Sequence, residues 1–405
     1  MLSQIINSLA RIMKLTLTII SIVILCFVAP TFIDMFRGFY KQHFMTHEKR
    51  TPMAAANVVF NGNSQDLKTT KIIAALDEPL PKNVNVIWCA SFLSAWKSMQ
   101  TDFLKEPIAL KKAPKLVTLL NEAADPRATI PAESLYAITG TVKDNIVERI
   151  KNDLKQKFPH KTPPVFEAKN PPKTVISYAY LEAGINFSLP YFQNHKPLLF
   201  TDSQGKETPL NSFGLREEDE MDFDDLREQV KILFNTSNSE FAVDLDRNSL
   251  PNQIILAVTE PKETLAKTIA AVENKIAANS QTTFEFSPVS KLLVPDIVFN
   301  ITHHFSMLEG LHFSNAKILK HPLAMAQQDI FFRLDRNGAE LKADAAMRAP
   351  PAAIVTDFIF NRPFLVYMKK RGTHTPYFAM WVDNAELLGK WNGSAITQNH
   401  IAGGK

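Results

Sequence analysis

Glycine is scarce, with 13 in 405 residues. Loops that cradle a phosphate or a dinucleotide are built on closely spaced glycines, and no such fingerprint occurs; a nucleophile-elbow serine and a helical zinc pair are missing too. These absences point away from an enzyme and leave no catalytic residue to name. Cysteine is scarcer still. Cys26 lies inside an apolar run and Cys89 in a second apolar stretch, so no disulfide closes within the globular part. The fold must stand on packing, and the redox compartment stays open. Neither sign of charge dominates: 45 basic residues face 41 acidic ones along the whole chain, for a net charge of +4. That balance gives no nucleic-acid surface. The nearest basic group, Lys105, Lys111, Lys112 and Lys115, reads as a solvated helix face.

Metal and cofactor sites are not expected either. His303 and His304 are adjacent, and adjacent residues of a strand face opposite sides. The acidic run Asp219, Glu220, Asp222, Asp224 and Asp225 lacks the glycine turn and closing glutamate of a calcium loop.

What is present is an ordinary globular composition, 45% hydrophobic and 21% charged, behind an unusual start. Leu15 to Ile33 carries no charge and is flanked by Lys14 and Asp34. As a helix it would span roughly 28 Å, enough for one membrane crossing. An uncleaved anchor is the favoured reading over a cleaved signal sequence, because the run exceeds the usual length of a signal core and shows no clear cleavage site. Basic residues lie on both sides, so charge does not set the topology. The expected organisation is a tail at 1–14, the anchor at 15–33, a connector at 34–64, a globular domain at 65–385 and a flexible tail at 386–405. The bulk of the chain is expected outside the cytoplasm, or secreted if the run is removed.

Within the domain, helices are expected over Asp66–Asp77, Ser91–Leu104, Ala132–Phe158 and Thr264–Ala278. Strand-like runs follow at Asn85–Trp88, Thr174–Tyr180, Phe241–Leu245, Gln253–Val258, Thr283–Phe286, Ile330–Leu334, Phe364–Met368 and Tyr377–Val382. Early helices and late strands argue an α+β domain with antiparallel sheets. The last two strands, joined by a turn around Gly372, read as a hairpin.

One segment is locally conflicted. From Gly338, every second residue is apolar: Ala339, Leu341, Ala343, Ala345, Met347 and Ala349. Between them stand Glu340, Lys342, Asp344 and Arg348. Period two is the pattern of a strand buried on one face, yet the residue types are helix formers. An exposed alanine-rich helix ended by Pro350 and Pro351 is the plain alternative. A loop that later enters a sheet as an extra strand accounts for both features.

Here the chain resembles the serpin family. Arg333 to Ala346 (RLDRNGAELKADAA) is similar to the serpin hinge, Phe360 to Phe364 (FNRPF) to the segment after the reactive loop, and Tyr377 to Asn384 (YFAMWVDN) to the closing strand. By order and spacing the resemblance reaches upstream to Asp66. It implies a serpin-like fold and a protease inhibitor whose loop is attacked by a serine or cysteine protease, of elastase-like or subtilisin-like specificity. The implied scissile bond is Ala352–Ala353, flanked by Ala349, Pro350, Pro351, Ile354, Val355 and Thr356, with Gly338 at the hinge. Pro350 lacks an N–H, which points to Val355–Thr356 as a displaced cut. A non-inhibitory serpin serving as a tethered binding or scaffold protein is the alternative. Departures from the family pattern favour it: the shutter serines fall on Cys89 and Phe92, the shutter asparagine near Ser177, the shutter histidine on Gln328, and the acidic hinge residue on Arg336. The breach tryptophan has no counterpart around Gly184 to Phe187.

Overall fold

The computed structural model describes residues 58–159, 174–183, 185, 187–215, 223–284, 286, 290–323, 325–338 and 357–392. Two units divide the chain at 56/57, and all the described residues belong to the second. The tail at 1–14, the apolar run at 15–33, the connector up to 57 and the loop from Ala339 to Thr356 lie outside them. So do Ala349, Pro350, Pro351, Ala352, Ala353, Ile354 and Val355, and the strand positions Leu341, Ala343, Ala345 and Met347. Among the described residues no helix is long and apolar enough to cross a membrane.

The fold is α+β, with helices packed on several sheets. Its centre is a seven-stranded sheet of order β10–β11–β12–β17–β18–β3–β2, made by Lys231–Ser237, Glu240–Asp244, Asn252–Val258, Phe364–Lys370, Pro376–Val382, Asn85–Cys89 and Thr70–Ile73. Every residue of β12 and β18 is buried, which is why both read as unbroken rather than alternating runs. The expected hairpin is β17–β18, paired from Phe364↔Val382 to Lys369↔Pro376. A second sheet runs β16–β13–β9–β6, from Phe358–Ile359, Leu292–Pro295, Ser212–Leu215 and Phe192–Gln193. A third is β1–β14–β15, from Phe60–Asn63, Ile297–His304 and Gln327–Leu334. Two short sheets complete the set: β4–β5, from Leu135–Thr141 and Val175–Leu181, and the hairpin β7–β8, from Leu198–Thr201 and Glu207–Leu210.

Among the described residues five α-helices pack on these layers: α1 (Ala90–Lys97), α2 (Lys115–Glu122), α3 (Ile146–Lys157), α4 (Phe223–Gln229) and α5 (Leu265–Ala278). The expected helix at Thr264–Ala278 is α5, opened by the Thr264 side chain accepting from the Lys267 N–H at 3.1 Å. α1 runs on as a π-helix over Ser98–Leu104, so the expected Ser91–Leu104 helix changes winding partway.

Several expectations are corrected. Asp66–Asp77 is not a helix: Ser64–Asp66 makes one tight turn and Thr70–Ile73 is β2, lying parallel to β3 and burying Ile72 and Ile73. Ala132–Phe158 splits into β4 and α3, because Tyr136, Ile138 and Gly140 pair with β5 across Tyr180, Tyr178 and Ile176. Phe284 and Phe286 pack on the core outside any strand. The domain is also larger than 65–385. β1 precedes it, and at its end Leu387 and Leu388 are fully buried while the Trp391 N–H donates to the Pro209 carbonyl at 3.0 Å. Residues 386–391 are therefore part of the packed domain rather than a tail.

Candidate functional site

The loop that the sequence singles out is fixed at both ends, on different sheets. Its leading end follows β15. Asp335 pairs with Arg333 and accepts from the Asn337 N–H at 2.9 Å, and the Arg336 carbonyl accepts from the Tyr191 N–H at 2.9 Å. Gly338 then lies flat on Phe187: a Cβ at that position would meet ring carbons of Phe187 at 2.5 Å. Phe187 stands edge-on to Tyr191, with centroids 5.0 Å apart, and Phe213 closes the group 5.6 Å from Tyr191. The Tyr191 hydroxyl donates to the Leu245 carbonyl, and burial raises its pKa far above the ordinary value.

The trailing end is held by backbone. The Lys291 N–H donates to Asp357 at 3.0 Å, Phe358 N–H to the Lys291 carbonyl at 2.7 Å and Phe360 N–H to the Leu293 carbonyl at 2.9 Å. Phe358 and Phe360 each stand edge-on to Phe241 at 5.2 Å. The sequence FNRPF is thus an anchor: its aromatics are core, and its Asn361 carbonyl accepts from the Thr201 N–H at 2.9 Å.

Between these ends the structure contains a discontinuity. Among the described residues no ladder joins β5 to β15, and β4–β5 and β1–β14–β15 stand as separate half-sheets. They nevertheless meet on one helix, since β4, β5 and β15 all contact α1. Both rest on α1, by different bonds. On one side Gln328 Nε2 donates to the Cys89 carbonyl at 2.9 Å and to Ser91 Oγ at 2.8 Å. On the other, Ser177 Oγ donates to the Ala95 carbonyl at 2.6 Å and lies 2.7 Å from Thr139 Oγ1, which donates to Ser98 Oγ at 3.0 Å. Gln328 Oε1 is buried without a partner. Cys89 is a free, buried thiol whose pKa burial raises, which disfavours its thiolate.

Two expected positions thus act otherwise than their alignment suggests. Phe92 takes no part in the polar network and packs on Phe305 at 4.2 Å. Ser91, not singled out beforehand, is the serine that Gln328 reaches. Thr139 and Ser98 were also missed; nothing in a single sequence marks a serine or threonine as facing a helix carbonyl. The histidine pair faces two ways. His303 Nδ1 lies 2.7 Å from Ser64 Oγ and His304 Nδ1 3.0 Å from Glu309, and burial with the neighbouring His304 pushes His303 down to about 4. Among the described residues no cluster of His, Cys, Asp and Glu could hold a metal ion.

Asp296, between β13 and β14, is a further, half-buried group near the start of the loop. Its Oδ1 has no partner, its Oδ2 is 3.4 Å from Gln193 Nε2, and burial with the Asp335 charge pushes it up to about 7 against the pull of Arg333 and Arg336.

No family profile matches the chain, and no curated protein matches it. Among solved structures it is similar to human thyroxine-binding globulin complexed with thyroxine, at 12% identity over 74% of this chain and 92% of that one, with a TM-score of 0.41. It is similar to the same extent to Serpin48 of the insect Tenebrio molitor, described as highly specific, at 12% identity, 74% and 92% coverage and a TM-score of 0.41. Human glycosylated kallistatin aligns at 11% identity over 74% of this chain and 91% of that one, with a TM-score of 0.44.

Proposed function

We propose that the chain is a serpin-type protease trap, tethered to a membrane by Leu15 to Ile33. The observation that carries this reading is the open seam between β5 and β15, next to the hinge at Gly338 from which the period-two loop departs. Two strands that share no ladder among the described residues, both lying over one helix, make room for one more strand, and the alternation from Ala339 to Ala349 supplies a strand with apolar residues on one face and mostly charges on the other.

The chemistry belongs to the protease. Its serine or cysteine attacks the Ala352 carbonyl, the Ala352–Ala353 bond breaks, and the Ala353 nitrogen leaves with a proton, so that Ala352 remains as an acyl group on the protease. The freed strand then enters the seam and satisfies both edges with ladder hydrogen bonds. It also buries Ala339, Leu341, Ala343, Ala345, Met347 and Ala349. Ala352 suits a small specificity pocket, hence an elastase-like or subtilisin-like target. Pro350 removes an N–H that a substrate strand normally donates, so Val355–Thr356 is the competing cut. On this reading the bulk of the chain lies outside the cytoplasm, or is secreted if the apolar run is processed.

Incubation with elastase-like and subtilisin-like proteases tests this. An adduct that survives SDS, mapped to Ala352, supports the trap; clean cleavage with no adduct for every protease overturns inhibition and leaves a binding or scaffold protein.

A further inference from the structure

The outer edge of the β14–β15 half-sheet carries β1, which the sequence reading left in the connector. β1 lies parallel to β14 from Phe60↔Phe299 to Asn63↔Thr302, and the Val59 N–H donates to the Val298 carbonyl at 2.8 Å. Side chains extend the contact: Asn300 Nδ2 donates to Asn61 Oδ1 at 2.9 Å, and Ser64 Oγ lies 2.7 Å from His303 Nδ1. Phe60 packs on the core.

A few residues later the same stretch is fixed to another layer. The Lys68 and Thr69 N–H groups donate to the Glu386 carboxylate at 2.7 and 2.9 Å, and the Thr69 and Thr70 hydroxyls do so at 3.0 and 2.7 Å. Thr70 then opens β2 at the edge of the seven-stranded sheet. Only Gln65 to Leu67 lies between the two attachments, and the turn at Ser64–Asp66 takes up part of that length. The stretch therefore ties the half-sheet to the central sheet with little slack.

The ladders differ in strength. β14 and β15 are joined across eight residue pairs, from Ile297↔Leu334 to His304↔Gln327, whereas β1 and β14 share four. If β15 moves away from β5, β14 goes with it, and the four-pair β1–β14 ladder resists along one end of β14 while the single bridge Ile297↔Leu388 resists at the other.

From this geometry we propose that β1 is a strap: it holds the β14–β15 half-sheet in place against the seven-stranded sheet, and its release from β14 is the step that frees the half-sheet to move. The use of that motion rests on the loop-insertion reading; the strap itself is measured without a protease.

The test is amide hydrogen exchange on the full chain. Asn61→Pro removes an N–H from the middle of β1, and a second protein carries Asn61→Cys with Asn300→Cys, whose Cα positions are paired neighbours, compared oxidised and reduced. Asn61→Pro is expected to speed exchange over both β14 and β15 at least tenfold while β12 and β17 are unchanged. The oxidised cross-link is expected to slow exchange over β15 several-fold, with reduction restoring the original rate. Exchange over β15 that ignores both the proline and the cross-link overturns the strap. Should Asn61→Pro fail to fold, the oxidised and reduced pair decides alone. A cross-link that slows exchange in a protein that never forms a protease adduct supports the strap while overturning the insertion reading.

Discussion

Ser177 and Gln328 lie on different half-sheets and are fastened to the same helix, Ser177 to the Ala95 carbonyl at 2.6 Å and Gln328 to Ser91 Oγ at 2.8 Å. Each half-sheet thus has its own polar attachment to α1. Ser177→Ala and Gln328→Leu are each expected to cost about 1–2 kcal/mol, the usual net worth of such bonds. Because the attachments share no partner, the double variant is expected to equal the sum within about 0.5 kcal/mol. Denaturant unfolding of the four proteins measures this; a large coupling energy would mean that one network spans the seam.

Gly338 is where the loop leaves β15 over the face of Phe187. A Cβ placed 2.5 Å from the ring cannot be accommodated without movement. Gly338→Ala is expected to destabilise the intact protein by about 1–3 kcal/mol, and in a Phe187→Ala background, which lacks the ring carbons but keeps the backbone nitrogen 2.7 Å away, to cost less. Melting curves of the two single variants, the double variant and the parent decide; an equal loss in both backgrounds would show that the ring is not what restricts the position.

Asp296 gives the hinge region a pH dependence. Its carboxyl is pushed up to about 7, by burial first, so the folded state holds a proton that the unfolded chain gives up near the ordinary aspartate value of about 4. The stabilising effect of that proton is complete below about pH 4 and is lost as pH rises through about 7. Asp296→Asn keeps a neutral side chain throughout. The variant is expected to be more stable than the parent at pH 8, by a few kcal/mol in order of magnitude, and nearly matched with it at pH 4. A difference that does not change between the two pH values would place the effect in packing rather than in ionisation.

The apolar run at Leu15 to Ile33 is expected to keep the protein in the membrane fraction through high-salt and carbonate washing, since burial of that length is not an electrostatic attachment. A mature chain beginning beyond Ile33 would mean that the run is a cleaved signal sequence.

What was legible in the sequence is what local pattern encodes. The β17–β18 hairpin carries two unbroken apolar runs around Gly372, and α5 carries a threonine cap before a helical stripe. The errors are also local. Ile72, Ile73 and Leu76 fit a helical stripe as well as a short strand, and only pairing with β3 chooses between them. In Ala132–Phe158 a signal was available: Thr139, Gly140 and Thr141 are poor helix formers and mark the strand that precedes α3. β1 has no sequence signature, being four residues whose structure comes from the edge of β14. The seam could not be read at all, because the alternating burial of β15 is the same whether or not a neighbour pairs with its inner edge.

Within the loop, Ala343→Glu is expected to turn a trap into a substrate. The added carboxylate is solvated while the loop is free but unpaired and buried once the strand is inserted, at a cost of several kcal/mol. Asp344→Ala, on the outward face, is the control. The ratio of adduct to cleaved product for one protease separates them; identical ratios would favour the alanine-rich helix as the account of Gly338 to Ala349.

The most direct measurement is the melting temperature of the protein before and after its loop is cut between Ala349 and Thr356. If the freed strand fills the seam between β5 and β15, the cut protein gains ladder hydrogen bonds and buried surface, and its melting temperature is expected to rise by on the order of ten degrees or more. Intact and cut proteins that melt together would contradict insertion, and with it the trap.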